Sequence, residues 1–348
     1  MNERLKSLAA KTAPYLNGKS LGLLSSGHVR LAVLVLMFAA FSFLANNFLT
    51  VPNLPRLLLQ TSPFTILAIG ETVVLLVGGI DFSVGAMLVF GSAVVLMFNG
   101  LDMSDWEKII DACLVCGVVG LANGFLVAKF RLPSFIVTLA MAMAIPGIAG
   151  VLKDVMVSLA GPGALVYQYM NELPTEFTII AHDVTGAQIV LFPGISSIVI
   201  ITVIVAVVSH LILSKTRLGR YVYLVGNNPT AALLSGTNVV RIKILAFVFS
   251  SMMAGLTGIL LTSRAGGPMT DSAGYGYEMI AIECAMIGGV IYGGGVGSIM
   301  GTVVGSLIVG TLTMGLDMLN VNHLHLPMYL NALVLIGAVY LAQRQNKK

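Results

Sequence analysis

Charged residues are scarce in this sequence. Of its 348 residues, 10% are charged and 57% are hydrophobic. A soluble domain carries about 25% charged residues, so this chain could not cover a surface that faces water. The mean hydropathy of +0.95 agrees. The composition therefore excludes a soluble enzyme, a nucleic-acid-binding protein and a disordered regulator, and it favours a protein that crosses a membrane several times.

Motifs for catalysis, nucleotide binding and metal binding are missing as well. The sequence has no P-loop, no G-x-S-x-G and no H-E-x-x-H. His323 and His325 are close together but lack a third ligand. Cys113 and Cys116 have C-x-x-C spacing in an apolar helical stretch, where packing is a better explanation than redox or metal chemistry. We predict no catalytic residue, metal or cofactor in this chain.

Long uncharged stretches divide the chain into candidate membrane spans. A helix needs about 20 apolar residues to cross about 30 Å of hydrocarbon, and backbone polar groups in lipid must be bonded within the segment. The sequence predicts an all-α polytopic membrane protein with ten transmembrane helices, although residues 57–99 could instead hold broken or re-entrant pieces. The predicted spans are residues 31–49, 57–77, 84–99, 110–128, 132–151, 188–213, 243–262, 277–292, 296–318 and 326–342.

The basic residues indicate which side of the membrane each loop faces. Lys and Arg are concentrated in both tails, in the turn at 129–131 and in the loop 214–243. Cytoplasmic loops carry this excess, and ten crossings place all four segments on the cytoplasmic side. We predict a cytoplasmic tail, a single transmembrane domain that includes the loop, and a second cytoplasmic tail. These three parts are residues 1–30, 31–342 and 343–348.

Two predicted spans contain an acidic residue away from their ends. Glu71 lies in the middle of the second span and Glu283 in the eighth. A carboxylate at this depth costs several kcal/mol unless it faces the bundle interior or a water-filled cavity. A structural pairing with a neighbouring helix and a contact with a transported solute are both compatible with this position.

A polar turn follows the second span. Gly78 and Gly79 are expected to end the helix, and Asp81 or Ser83 to cap the next one. The alternative is a helix break beside the pore, where Asp81 and exposed backbone groups meet a polar solute. We favour the capping interpretation of Asp81.

The basic loop between the sixth and seventh spans encodes a short helix. Asn228 is a good N-cap, Pro229 suits the first helical position, and Gly236 suits the position just past the end. Such a helix would present Leu233 and Leu234 to the cytosol. Because isolated helices this short are marginal in water, we predict that a partner protein's groove holds it. The alternative is an ordinary connector that packs on its own membrane domain.

Several motifs carry a family resemblance. Residues 79–85, Gly-Ile-Asp-Phe-Ser-Val-Gly, are similar to the G-I-D-L-S-V-G signature of the ribose/galactose/xylose permease family, and the loop 214–243 resembles the EAA-type coupling loop of ABC importer permeases. Two departures are Glu71, where the family usually has an uncharged residue, and Phe82, which replaces Leu. Further matches are Ala122-Asn123-Gly124, the run 133–139, Gly276-Tyr277-Glu278, Gly288-Gly289 and the run 293–297. Together, all these matches extend the resemblance over roughly residues 55–340, in the order that the family has.

The resemblance implies the transmembrane permease subunit of an ABC importer in a bacterial cytoplasmic (inner) membrane. Such a subunit pairs with a second permease, identical or related. Cytosolic ATPase subunits bind ATP and Mg, and an extracytoplasmic binding protein delivers a monosaccharide or related polyol for import by alternating access. The implied ATPase-coupling residues are Gly226, Asn227, Asn228, Pro229, Ala231, Ala232, Leu233, Leu234, Ser235 and Gly236. The candidate residues of the translocation path or helix break are Glu71, Gly78, Gly79, Asp81, Ser83, Asn123 and Glu283.

One other class of transporter fits the same sequence. An ion-coupled secondary transporter would use intramembrane acids, here Glu71 and Glu283, to bind H⁺ or Na⁺. It would take up its solute without any partner, whereas the permease of an ABC importer needs its ATPase.

Overall fold

The computed structural model describes residues 27–98, 103–160, 196–265 and 269–319. In these ranges the regular secondary structure is entirely helical. A 3₁₀ helix, Asp271–Gly274, supplements eleven α-helices within the same ranges. The α-helices are α1 (Gly27–Leu44), α2 (Asn53–Leu76), α3 (Val84–Met97), α4 (Asp105–Lys129), α5 (Ser134–Ala160), α6 (Ser197–Lys215), α7 (Arg217–Asn227), α8 (Pro229–Leu234), α9 (Val239–Ala265), α10 (Tyr277–Ile287) and α11 (Ile299–Met318).

The helices agree with a multi-pass membrane protein. Within the described ranges, seven of them are long and apolar enough to cross a membrane, and α3 is a shorter apolar helix. The first predicted span is wrong only in its last five residues, 45–49, because α1 ends at Leu44 and a turn with Asn47 at φ 64° follows. The predicted span 277–292 is also too long. Since α10 has 11 residues, it is about 16 Å in length and cannot cross a bilayer alone.

Other boundaries differ by a few residues for local reasons. α2 begins at Asn53, because Pro55 is tolerated in a first turn whose N–H groups are unbonded in any case. α4 begins at Asp105, where Ser104 and Glu107 form a capping box. α5 continues to Ala160 and α9 covers 239–265, both beyond the predicted spans. α3 ends at Met97, α6 covers Ser197–Lys215 and α11 begins at Ile299, whereas residues 188–195 and 326–342 of the predicted spans lie outside the described residues.

α2 is the central helix of the bundle. It packs against α9, α11, α10 and α6, and 89% of the residues in its most apolar stretch are buried. In α1 and α5 the corresponding shares are 6% and 17%. Polar atoms on α2 are therefore surrounded by protein, whereas α1 and α5 present apolar faces to their surroundings.

Glycines allow α3, α4 and α9 to pack closely. Gly91 of α3 faces the backbone of Gly255 in α9, and a Cβ atom on Gly258 would meet the carbonyl oxygen of Leu88. Gly120 of α4 faces the carbonyl of Phe247 in the same way. Small residues at such crossings bring helix backbones together and gain van der Waals contact in a membrane, where apolar burial contributes little.

The crossing of α3 and α9 generates a stability prediction. Gly258→Ala is expected to lower stability by about 1–3 kcal/mol, because the added methyl group forces the two helices apart. The measurement is thermal unfolding of the purified protein in detergent. Gly147→Ala on α5 is the matched control, since nothing lies within 4 Å of its Cβ position. Equal unfolding temperatures for the two variants would contradict the close contact.

Candidate transport site

The chain turns back after α2 before it enters α3. α2 ends at Leu76, and Gly78 adopts φ 79°, a conformation that residues with a side chain rarely take. The N–H groups of Gly78 and Gly79 donate to carbonyl oxygens of the last helical turn, Leu75 (3.0 Å) and Val74 (2.9 Å). These bonds confirm the prediction that the glycine pair ends the helix.

The next four N–H groups are bonded by side chains. Three of the acceptors come from other helices, namely α2 and α5, and the fourth is local. Non-helical backbone inside a membrane needs such partners, because no bulk water is present to replace them. Every N–H from Gly78 to Ser83 thus has an acceptor. The four pairs are Ile80 to Ser134 Oγ (3.0 Å), Asp81 to Glu71 Oε1 (3.2 Å), Phe82 to Thr138 Oγ1 (3.0 Å) and Ser83 to Asp81 Oδ1 (2.9 Å).

Four of the candidate path residues form one buried cluster. Ser83 donates its hydroxyl to Asp81 Oδ1 (2.5 Å) and accepts a hydrogen bond from Asn123 Nδ2 (3.0 Å). Glu71 joins the cluster through the N–H of Asp81. All four side chains are completely buried. The four residues were identified separately as candidates from the sequence, and in the structure hydrogen bonds connect them into one group.

The predicted capping of α3 is wrong in detail. Ser83 occupies the N-cap position, but its side chain makes no capping bond. Asp81 is two residues further upstream and bonds the N–H of Ser83 itself. The hydroxyl of Ser83 instead donates to Asp81 and accepts a hydrogen bond from Asn123. Asp81 therefore orients the start of α3 without being its cap.

The cluster contains oxygen atoms that could accept further hydrogen bonds. Among the described residues, no hydrogen bond reaches Glu71 Oε2, Asp81 Oδ2 or Asn123 Oδ1. The hydroxyl of Ser250 on α9 approaches the Asp81 carboxyl without forming a well-aligned hydrogen bond. Glu283 of α10 is also buried, and no bond within the described ranges links it to the cluster. The role of Glu71 in a solute path stays a prediction.

The predicted cytoplasmic helix is α8. Asn228 caps its start by accepting the N–H of Ala231 (3.0 Å), and Pro229 is the first helical residue. Gly236 follows its end at φ 82°, and the Gly236 and Thr237 N–H groups donate to the carbonyls of residues 233 and 232, as in a Schellman motif. These contacts confirm the predicted helix.

The two leucines of α8 are exposed. Leu233 is 65% and Leu234 is 84% exposed, whereas Ala232, on the side of α8 that packs against the rest of the protein, is buried. The helix thus packs through one small residue and presents two large apolar ones. That arrangement is typical of a surface that a partner covers.

Helix α7 joins α8 to the membrane bundle and was not predicted. Its N-cap Thr216 accepts the N–H of Gly219 (3.2 Å), and Val222 and Val225 on its inner face are buried. Two features of the sequence could have predicted α7: a threonine suited to the N-cap, and apolar residues spaced three apart. Gly226 near its end lies against the carbonyl oxygen of Leu76, where α2 ends.

A glycine-rich loop, residues 288–298, completes this junction. The N–H of Gly295 donates to the carbonyl of Leu76 (2.9 Å). From α7, Asn227 Nδ2 donates to the carbonyl of Gly295 (3.3 Å) and the Tyr223 hydroxyl to that of Gly297 (3.0 Å). We call this contact of α2, α7 and the loop the junction. It attaches the segment that carries α8 to the end of the central helix.

Arg30 reaches the same end of the bundle. Its guanidinium group donates to the carbonyl of Gly288 and lies against Gly301 at the start of α11. The basic N-terminal side of α1 and the basic segment around α7 are thus at one end of the protein. Both were assigned to the cytoplasmic side from sequence.

A cavity of about 990 Å³ lies between α3, α5 and the segment from the 3₁₀ helix into α10. The seven candidate path residues are not among those that line it. Its walls include Phe82, Phe135, Met143, Tyr275 and Glu278. In the part of the chain that the structure describes, no group of three or more His, Cys, Asp or Glu side chains could hold a metal ion.

Comparison with known proteins identifies the family. The family "Branched-chain amino acid transport system / permease component" matches residues 53–342. The ribose import permease protein RbsC of Escherichia coli K12 is 35% identical over 319 residues, which are 91% of this chain and 93% of RbsC. No solved structure matches the chain.

Two further relatives have similar coverage. The D-allose transport system permease protein AlsC of Escherichia coli K12 is 32% identical over 91% of this chain and 90% of its own length. The L-arabinose ABC transporter permease protein AraH of Azospirillum brasilense is 31% identical over 91% of this chain and 87% of its own length. The chain therefore belongs to this family of transport permease components, and it is an ABC importer permease of the same type as the ribose, allose and xylose permeases.

Proposed function

We propose that the chain is the transmembrane subunit of an ATP-driven importer of a monosaccharide or related polyol in a bacterial cytoplasmic membrane. The observation that carries the proposal is α8, a capped helix whose leucines are exposed and whose neighbour α7 is bonded to the end of α2. The relatives named for ribose, allose and arabinose support a sugar as the solute.

The partners follow from this role. A second permease, identical or related, would complete the membrane domain. Cytosolic ATPase subunits would bind ATP and Mg and cover Leu233 and Leu234 with a hydrophobic groove. An extracytoplasmic binding protein would deliver the sugar. Ten membrane helices with both termini in the cytoplasm fit this assembly, because the basic segments at Arg30 and α7 then face the ATPase.

Movement of the ATPase would enter the membrane through the junction. Gly226 and Gly295 lie directly against the end of α2, so a displacement of α8 and α7 pushes on the turn that leads into α3. Rearrangement of α2 and α3 would then open the solute path to one side at a time. Close packing makes such an interface switch between discrete arrangements.

The second candidate is an ion-coupled secondary transporter. It is favoured by one observation, the buried carboxyl groups of Glu71, Asp81 and Glu283, each with an oxygen that no described residue bonds. It predicts uptake by the purified chain alone. The family and the exposed leucines favour the ATP-driven importer.

The first prediction tests the contact with the ATPase. Leu234→Glu would place a carboxylate in a desolvated groove, at a cost of several kcal/mol. Gly236→Pro would end α8 incorrectly, because proline holds φ near about −65° and the native value is 82°. We expect both variants to insert in the membrane and to lose co-purification of the ATPase and ATP-driven uptake.

Leu234→Met is the matched control, since it keeps an apolar side chain of similar volume. It should retain ATPase binding and uptake. Normal uptake by Leu234→Glu and Gly236→Pro, or uptake by the chain without any ATPase, would overturn the coupling role of α8 and favour the secondary transporter.

The second prediction concerns Glu71. In Glu71→Gln the amide oxygen can still accept the N–H of Asp81, so we expect thermal stability and uptake close to those of the wild type. Glu71→Leu removes this acceptor and leaves a buried N–H unbonded, at a cost of about 1–3 kcal/mol. Its unfolding temperature and uptake should both fall.

The comparison separates a structural from a solute-binding role. Thermal unfolding and uptake in vesicles are measured for both variants, with Glu283→Gln as a second buried carboxyl. A Glu71→Gln protein of normal stability that has lost uptake would assign the charge of Glu71 to the solute path or to ion coupling.

A further inference from the structure

The cavity between α3 and α5 is elongated along the helices. On α5 its lining extends from Phe135 to Gly150, and on α3 and the turn before it from Phe82 to Met97. Fifteen helical residues correspond to about 22 Å, and the hydrocarbon core is about 30 Å thick. The cavity therefore follows α3 and α5 over most of the depth of a bilayer, as a path for a solute must.

A segment outside the α-helices, which includes the 3₁₀ helix Asp271–Gly274, enters the membrane beside this cavity. The N–H of Met269 donates to Ser92 Oγ near the end of α3 (3.2 Å), whereas Gly274 lies against Gly85 at the start of α3. Seven residues of α3 separate these two contacts, a distance of about 10 Å. The segment therefore descends along α3. Irregular backbone at membrane depth occurs only where it is buried in protein or lines a water-filled cavity.

The descending segment is not fully buried. Tyr275 is 80% exposed, and both Tyr275 and Glu278 line the cavity. Glu278 Oε1 accepts the N–H of Gly276 (3.2 Å), which fixes the carboxyl group next to Gly85. A carboxyl group in a membrane domain faces the bundle interior or a wet cavity. Because Glu278 lines the cavity, we expect the cavity to contain water.

The lining has the chemistry that a neutral sugar requires. The rings of Phe82, Phe135 and Tyr275 offer flat apolar surfaces for the C–H faces of the sugar, and Glu278 can accept hydrogen bonds from its hydroxyl groups. A mostly apolar wall with a few polar groups is typical of small-molecule sites, whose volumes are about 300–1,000 Å³. The cavity is at the upper end of this range.

One wall of the cavity is able to bend. Pro146 lies inside α5 and lines the cavity. Proline removes a backbone hydrogen bond and kinks a helix. Few residues of α5 are buried, so little packing would be lost if it moved.

We propose that this cavity is the part of the solute path that this chain contributes, and that Tyr275 and Glu278 contact the sugar within it. The inference rests on the proposed import function. It names residues outside the helix-break cluster and outside α8.

The first test asks whether water fills the cavity. Met143→Cys on the α5 wall and Ala93→Cys on the α3 wall are treated in membrane vesicles with a polar, membrane-impermeant thiol reagent. Val118→Cys is the matched control, because Val118 is exposed on α4 and does not line the cavity. We expect rapid labelling of the two cavity cysteines, loss of uptake after labelling, and no labelling of the control.

The second test uses Tyr275→Ala, which removes an exposed side chain and should leave the unfolding temperature unchanged. With the binding protein and ATPase present, we expect sugar uptake to fall about tenfold, the loss of one aromatic contact. ATP hydrolysis stimulated by the loaded binding protein should be retained. Phe43→Ala, at an exposed position of α1, should keep normal uptake.

The outcomes distinguish this inference from the proposed function. Failure of the wild-type assembly to import any sugar would overturn the proposed function. Normal wild-type import, with Met143→Cys and Ala93→Cys as unreactive as Val118→Cys, would overturn the cavity as the path. Normal uptake by Tyr275→Ala would overturn the assignment of Tyr275 as a contact.

Discussion

The need to bond every backbone N–H inside a membrane determines how this protein is built around α2. The chain leaves α2 at Leu76 and returns through residues 78–83 to the level of Glu71, so six consecutive N–H groups lie outside a regular helix. Each would cost several kcal/mol if it were unbonded in lipid. Glu71, Ser134 and Thr138 supply acceptors that the local chain cannot. The buried carboxyl of Glu71 thus accepts one of the backbone hydrogen bonds of this turn.

The same requirement attaches the segment of α7 and α8 to the rest of the helix bundle. The loop 288–298 contains the three consecutive glycines 293–295. Its hydrogen-bond partners include side chains of α7, the carbonyl of Leu76 and the guanidinium of Arg30. Because Tyr223 and Asn227 of α7 donate to carbonyls of this loop, a movement of α7 would break these bonds or move the loop. Helix α7 is thus connected to the end of α2 by two side-chain hydrogen bonds to the loop and one backbone hydrogen bond from the loop to Leu76.

Local signals in the sequence were sufficient for part of this structure. The apolar stretches predicted most of the helices, and nine residues from Asn228 to Gly236 contain both caps of α8. The return of residues 79–83 could not be predicted, because its acceptors Ser134 and Thr138 are 54 and 56 residues later than their donors. The end of α10 was missed for another reason. Glycine does not interrupt an apolar stretch, so the break at Gly288 looked like continuous helix. Tyr275 and Glu278 gave no sign that their segment descends into the membrane.

The turn at residues 78–83 also connects the junction to the cavity. Ser134 and Thr138 belong to the first turns of α5, and they hold the N–H groups of Ile80 and Phe82. Phe82 itself lines the cavity between α3 and α5. A displacement of α8 would therefore be transmitted by Gly226 to the end of α2. The turn at residues 78–83 would then transmit it to the N-terminal ends of α3 and α5, which form the two walls of the cavity. Each step in this sequence is a direct contact or hydrogen bond between neighbouring elements. Since α5 contains Pro146 and has few buried residues, it is the cavity wall that would lose the least packing if it moved.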